Sequence, residues 1–321
     1  MGADRSGRRD FLKKSAAVGA AGLPLAGASA LARAGFDPAG AIGVKVTEVP
    51  FRKNAAGRQL MARIYSPEGK GPFPVLLDLH GGAWSRKDRF ANEPMDRAIA
   101  AGGMLVVAID MTLSGEAPYP ASVQDANYGV RWLKASAARW GGDVSTLGVL
   151  GSSSGGHIGL LLAMRPSDPR YNAIPMPTGT VKLDATFNYL ATRAPVSDPY
   201  ARFQVAGKIG KEDLVKANKA YFQPFENIHE GNPQEILDRK EKVTLPPLLI
   251  MHGGGDDHVL PVNQKKFADS WRAAGGDCTF QLFEGAEHEW VAKPGPQTDE
   301  AHRVVKGFIA RQLALRTARA G

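Results

Sequence analysis

A single cysteine, Cys278, in 321 residues rules out an internal disulfide, so folding needs no oxidising step whatever compartment the chain reaches. It also rules out a lipid anchor on a cysteine near the N-terminus. Cys278 lies in the strand-like run Asp277-Cys278-Thr279-Phe280, where the expected role is a small buried apolar residue rather than a nucleophile. Long apolar runs are missing too: the Ala/Gly/Leu stretch over 16–32 is too short and too weakly apolar for a stable membrane span. No basic groove with interleaved aromatics accompanies the net charge of +8. Half of that excess sits in residues 1–34, where Arg5, Arg8, Arg9, Lys13, Lys14 and Arg33 face only Asp4 and Asp10. The rest is thinly spread, partly along a C-terminal helix, and no nucleic-acid partner is expected. Hydrophobic residues at 43% with no low-complexity run describe an ordinary globular chain, long enough for one large domain.

The N-terminus reads Arg8-Arg9-Asp10-Phe11-Leu12-Lys13, then the Ala/Gly/Leu stretch, then small-residue sites at Ala28-Ser29-Ala30 and Ala32-Arg33-Ala34. This resembles a twin-arginine export signal, read by a receptor and cleaved. The resemblance implies the twin-arginine (Tat) export machinery as a partner of residues 1–34, a periplasmic location with secretion as the alternative, and no stable membrane anchor. The catalytic domain then runs over 35–321.

Beyond the signal, nearly continuous apolar runs alternate with helical patterns. Strands are predicted over 59–65, 75–80, 104–110, 147–150, 245–252 and 279–283, and helices over 122–139, 156–164, 264–273 and 300–316, with Ser122 as a helix cap. That alternation argues an α/β fold with a mostly parallel central sheet and helices on both faces. The stretch over 195–242 breaks it. Turn-forming Pro195 and Pro199 open a polar region with two amphipathic segments, read as a small helical cap insertion over the carboxyl edge of the sheet.

Four segments carry chemistry, each at the end of a predicted strand. Gly151-Ser152-Ser153-Ser154-Gly155 is a Gly-x-Ser-x-Gly match, and in a chain with 37 glycines about 0.2 such matches arise by chance. Its setting makes it specific: a strand precedes it and a helix follows, the strained turn that exposes a nucleophilic serine, here Ser153. His80-Gly81-Gly82-Ala83-Trp84 follows a buried strand. Backbone amides of Gly81, Gly82 and Ala83, with that of Ser154, suit an oxyanion hole, while His80 is expected to tie the loop by hydrogen bonds. His288, in Glu284-Gly285-Ala286-Glu287-His288, is the candidate general base. For the acid, Asp256 and Asp257 compete in Gly253-Gly254-Gly255-Asp256-Asp257. Counting forward from His252-Gly253 favours Asp256, and counting back from Pro261 and Gln264 favours Asp257. The extra residue fits more easily into the glycine run, so Asp257 is the expected acid and Asp256 the alternative. The chain order serine, aspartate, histidine suits a hydrolase of the α/β type. His252 and His258 flank the acids with poor ligand spacing, so no metal or other cofactor is expected.

Together these segments, over roughly 45–315, resemble the α/β-hydrolase superfamily, within it the esterase/lipase group whose oxyanion loop reads His-Gly-Gly-Gly or His-Gly-Gly-Ala. The resemblance implies an α/β-hydrolase fold, a Ser153–Asp257–His288 triad and hydrolysis of a small-molecule carboxylic ester through an acyl-enzyme. The group's usual proline four and glutamine seven residues after the acid are Pro261 and Gln264, which supports Asp257. Ser152 and Ser154 depart from the Gly-Asp-Ser-Ala-Gly-Gly elbow of the hormone-sensitive-lipase branch and are closer to the acetyl- and feruloyl-esterase-like branch. Trp84 and Trp290, each beside a catalytic segment, are candidate pocket walls. A peptidase or amidase of the prolyl-oligopeptidase type is the alternative enzyme, and a silent hydrolase fold used for binding the alternative outside catalysis.

Overall fold

The computed structural model describes residues 35–177 and 183–320; the export-signal expectation over 1–34 lies outside them. Eight strands form one sheet: β1 (Val44–Lys53), β2 (Gln59–Pro67), β3 (Phe73–Leu79), β4 (Leu105–Ile109), β5 (Gly142–Ser152), β6 (Leu190–Arg193), β7 (Leu248–Gly253) and β8 (Cys278–Phe283). Their order is β1-β2-β4-β3-β5-β6-β7-β8, with β2 antiparallel to both β1 and β4 and every other pair parallel. This is the α/β-hydrolase arrangement the motifs implied. The helices are α1 (Glu93–Ala100), α2 (Ala121–Ser136), α3 (Ser154–Met164), α4 (Pro199–Lys208), α5 (Glu212–Tyr221), α6 (Asn227–Glu230), α7 (Pro233–Asp238), α8 (Pro261–Ala273) and α9 (Pro296–Ala320).

The apolar runs form the inner strands because helices cover both sides: every residue of β3, β4 and β7 is buried. Period-two alternation splits them between two cores. Val75, Leu77 and Leu79 pack with α2 and α3, whereas Leu76 joins Val106, Leu249 and Phe308 beneath α9. Cys278 is buried at the start of β8, and burial pushes its thiol up to about 12, as expected of a packing residue.

Register sets the functional edge. Leu79 pairs with Ile109 and Gly151, Ser152 with Arg193, Arg193 with Met251, and Gly253 with Phe283. The loops leaving β3, β5, β7 and β8 therefore emerge side by side. Between β3 and β5 the order reverses direction, since β3 leads to β4 on one side while β5 lies on the other. Ligands of open α/β sheets collect in such a crevice.

Between β6 and β7 the chain makes α4 to α7. Two of these helices carry real caps: Asp198 accepts from the Ala201 amide at 3.0 Å, and Asn232 accepts from the Gln234 and Glu235 amides at 3.1 and 3.2 Å. Arg165 at the end of α3 ties this region down, bonding Glu230 at 2.6 Å and also pairing with Glu241. The expected Ser122 cap is corrected. Pro120 occupies the N-cap of α2, and the buried Ser122 hydroxyl lies 2.8 Å from that of Tyr221.

Candidate active site

Ser153 stands between β5 and α3 with φ 51 and ψ −113, a conformation that a non-glycine residue adopts only under constraint. The constraint is visible. The Ser153 amide donates to Arg193 O at 2.8 Å, and its carbonyl accepts from His157 and Val196 at 3.1 Å each. At Gly155 a Cβ would overlap the Leu79 carbonyl, so only glycine lets α3 come this close to β3.

His288 arrives on the loop after β8, with Nε2 2.9 Å from Ser153 Oγ and Nδ1 2.7 Å from Asp256 Oδ2. Asp256 Oδ1 in turn accepts from the amides of His258 and Val259 at 2.9 Å each. Burial alone would raise the Asp256 carboxyl. The hydrogen bond and charge of His288, with the Val259 amide, hold it below the ordinary value. All three residues are buried, Ser153 at 5%, His288 at 7% and Asp256 at 2% exposure, so water reaches the site only sparingly.

The expectation that Asp257 meets His288 is corrected. Its side chain is 67% exposed and pairs with Lys211 at 2.6 Å. The error lay in treating the glycine run as slack. Gly254 donates to Phe283 O at 2.8 Å and Gly255 to Ala286 O at 2.9 Å, which fixes the run against the loop after β8. The extra residue is taken up instead between Asp256 and Pro261, where the Asp256 carboxylate organises the turn.

The oxyanion-loop candidates sit against the serine. A Cβ built on Gly81 would lie 3.2 Å from Ser153 Cβ, and Gly82 (φ 109) and Ala83 (φ 51) turn the chain back. Among the described residues the amides of Gly81, Gly82, Ala83 and Ser154 donate to no protein acceptor. His80 Nδ1 lies 2.8 Å from the Gly81 carbonyl, within the loop itself.

The two tryptophans divide. Trp84 is 3% exposed and stacks on Tyr221 at 4.6 Å, and its indole N–H donates to His157 Nδ1 at 3.2 Å. With Nδ1 accepting, His157 Nε2–H donates to Gly231 O at 2.7 Å, and burial pushes this imidazole down to about 4, so it stays neutral. Trp84 and His157 thus fasten the helices between β6 and β7 to α3. Trp290 packs on Phe283 at 5.2 Å in the core beneath α9, on the other face of the sheet from those helices. Trp290 does line a cavity, with Glu287, Glu289, Lys293 and Gln297, but one whose lining includes none of Ser153, Asp256 and His288.

Two arginines escaped the sequence reading because their strand and helix were not anticipated and burial of a charge is decided by tertiary packing. Arg193, at the end of β6, is 4% exposed and donates to the His288 carbonyl at 2.9 Å. Arg202, on α4, is 5% exposed. Among the described residues no group of three or more His, Cys, Asp or Glu side chains could hold a metal, and no helix is long and apolar enough to cross a membrane.

Comparison with known proteins agrees with this fold. The BD-FAE family model matches residues 63–271, well over half the chain. The chain belongs to the BD-FAE family of α/β-hydrolase esterases. Carboxylesterase NlhH of Mycobacterium tuberculosis is 38% identical over 258 residues, 79% of this chain and 78% of NlhH. Esterase LipC of the same organism is 26% identical over 252 residues, covering 74% of this chain but only 58% of LipC. Esterase B from Lactobacillus rhamnosis shares the fold, with a TM-score of 0.72 at 19% identity over 92% of each chain. The enzyme is accordingly a serine hydrolase of the carboxylesterase type. The family match ends before His288, so the position of the imidazole rests on the loop geometry after β8.

Proposed function

We propose that this esterase hydrolyses a small-molecule carboxylic ester through an acyl-enzyme on Ser153. The observation that carries the reading is the unbroken hydrogen-bond chain Ser153–His288–Asp256, at 2.9 and 2.7 Å, on the carboxyl edge of the sheet. His288 Nε2 accepts the Ser153 proton as Oγ bonds to the ester carbonyl carbon, and returns it to the departing alcohol oxygen. Water, deprotonated by the same imidazole, then attacks the acyl carbon; the Oγ–acyl bond breaks to release the acid, and the imidazolium returns its proton to Ser153 Oγ. Asp256 holds Nδ1–H so that Nε2 faces the serine and steadies the imidazolium. The amides of Ser154 and of the Gly81-Gly82-Ala83 turn would receive the charge on the carbonyl oxygen, and each such donor is typically worth about 100- to 1000-fold in turnover. NlhH is a carboxylesterase by name, and its likeness over most of both chains supports the same chemistry here.

The test is a pair of matched substrates, an aryl ester and the corresponding anilide of one acyl group. Faster turnover of the ester by at least about 100-fold, lost in Ser153→Ala, is the expected outcome; preferential cleavage of the anilide would point to an amidase instead. We also propose that residues 1–34 direct the chain to the periplasm through Tat, on the strength of Arg8-Arg9-Asp10-Phe11-Leu12-Lys13. Arg8→Lys/Arg9→Lys should leave the enzyme in the cytoplasmic fraction; undiminished periplasmic recovery would refute it.

A further inference from the structure

The helices between β6 and β7 hold a charge without a partner. Arg202 is 5% exposed, yet Nη1 has no hydrogen-bond partner among the described residues. The guanidinium makes one long hydrogen bond, from Nε to the His258 carbonyl at 3.3 Å, and lies 5.4 Å over the Trp84 ring. No carboxylate of the described residues lies within ion-pair distance of it. The nearest acid in electrostatic terms is Asp256, whose two oxygens are already occupied by His288, His258 and Val259. Arg86, on the Trp84 loop, adds a second positive charge within electrostatic reach, and His157 also feels Arg202. Burial, opposed by Asp256 and reinforced by Arg86, lowers the guanidinium to about 10. Burying a charge without hydrogen bonds is expensive, and proteins do it chiefly where a ligand completes the set.

Position says which ligand. Trp84 belongs to the loop after β3 and His258 to the loop after β7, while β5 and β6 lie between those strands. Arg202 therefore sits between the loops that flank the Ser153 turn, with its two terminal nitrogens making no hydrogen bond among the described residues. Their planar fork matches the two oxygens of a carboxylate.

We propose that Arg202 binds a carboxylate carried by the substrate, making the enzyme selective for anionic esters: half-esters of dicarboxylic acids, or acyl esters of hydroxy-aryl acids. This rests on the esterase reading of Ser153. A charge-assisted contact of this kind is worth about 10- to 100-fold in kcat/KM.

The experiment compares isosteric esters on the wild-type enzyme: 4-nitrophenyl hydrogen glutarate against 4-nitrophenyl pentanoate, and 4-acetoxybenzoate against 4-acetoxybenzamide. The expected result is a preference for the anion in at least one pair, collapsing towards unity in Arg202→Met and partly kept in Arg202→Lys. The ratio separates recognition from mere support of the fold, because a structural loss lowers both members of a pair alike. Preference for the neutral member in both pairs, or an anion preference that survives Arg202→Met, overturns the proposal. The wild-type comparison decides even if the variants do not fold. Failure to cleave any of the four esters would count against the esterase reading itself.

Discussion

The floor of the site and its roof each bury an arginine, and they treat it oppositely. Below, Arg193 spends a donor on the His288 carbonyl at 2.9 Å and has Glu289 at 3.9 Å. Above, Arg202 has one bond of 3.3 Å and an unpartnered Nη1. The floor is built from strand ends whose register brings Ser153, Asp256 and His288 together with their hydrogen bonds made, so chemistry there needs no rearrangement. The roof is built from short helices that leave donors free, which suits recognition. With Ser153 as the nucleophile and Arg202 as the anion site proposed above, catalysis would be specified by the sheet and choice of substrate by the insertion.

The floor is where substitution should cost most. Asp256→Asn, which disturbs the orientation and charge support of His288, should lower kcat by about 10⁴-fold, whereas Asp257→Asn should stay within about threefold. Ester hydrolysis by purified variants of equal thermal stability makes the comparison, and a larger loss in Asp257→Asn would break the assignment of the acid. The smallest effect concerns a part of the floor that is not satisfied. Ser152 Oγ donates to Asn92 Oδ1 at 2.9 Å, and Asn92 Nδ2 donates to Asp78 Oδ1 at 2.8 Å. Asp78 Oδ2 and both oxygens of buried Asp96 have no partner among the described residues. Burial raises both carboxyls, and for Asp96 the neighbouring Asp78 adds to the effect. The folded chain therefore keeps protons that the unfolded chain releases, and stability falls as pH rises above the ordinary carboxyl range. Asp78→Asn should flatten that fall, so that between pH 5 and pH 8 its Tm drops less than the wild type's by a few degrees, on the order of what 1 kcal/mol shifts. Parallel Tm profiles would exclude a protonated Asp78.

How much of this was legible in the sequence follows the same division. The apolar runs of β3, β4 and β7 announce buried parallel strands, and the Gly-rich turns after β3, β5, β7 and β8 announce the loops that carry Gly81, Ser153, the acid and His288. β1 escaped because one face of an edge strand is wet and its alternation is mixed; β6 escaped because it is four residues long. The acid was misread because spacing cannot show that Gly254 and Gly255 are pinned by the loop after β8. Arg202 was illegible for a related reason: whether a helical arginine faces solvent or is buried against Trp84 depends on how the helix docks, and Trp84 with His157 helps to decide that docking.

The central claim is that Ser153 is the activated nucleophile of this floor. The most direct measurement is intact and peptide mass spectrometry after treatment with a fluorophosphonate. The expected result is one phosphonyl adduct per chain, on Ser153, absent in Ser153→Ala and formed much more slowly in Asp256→Asn. An unlabelled wild type, or an adduct that persists at another residue in Ser153→Ala, would contradict it.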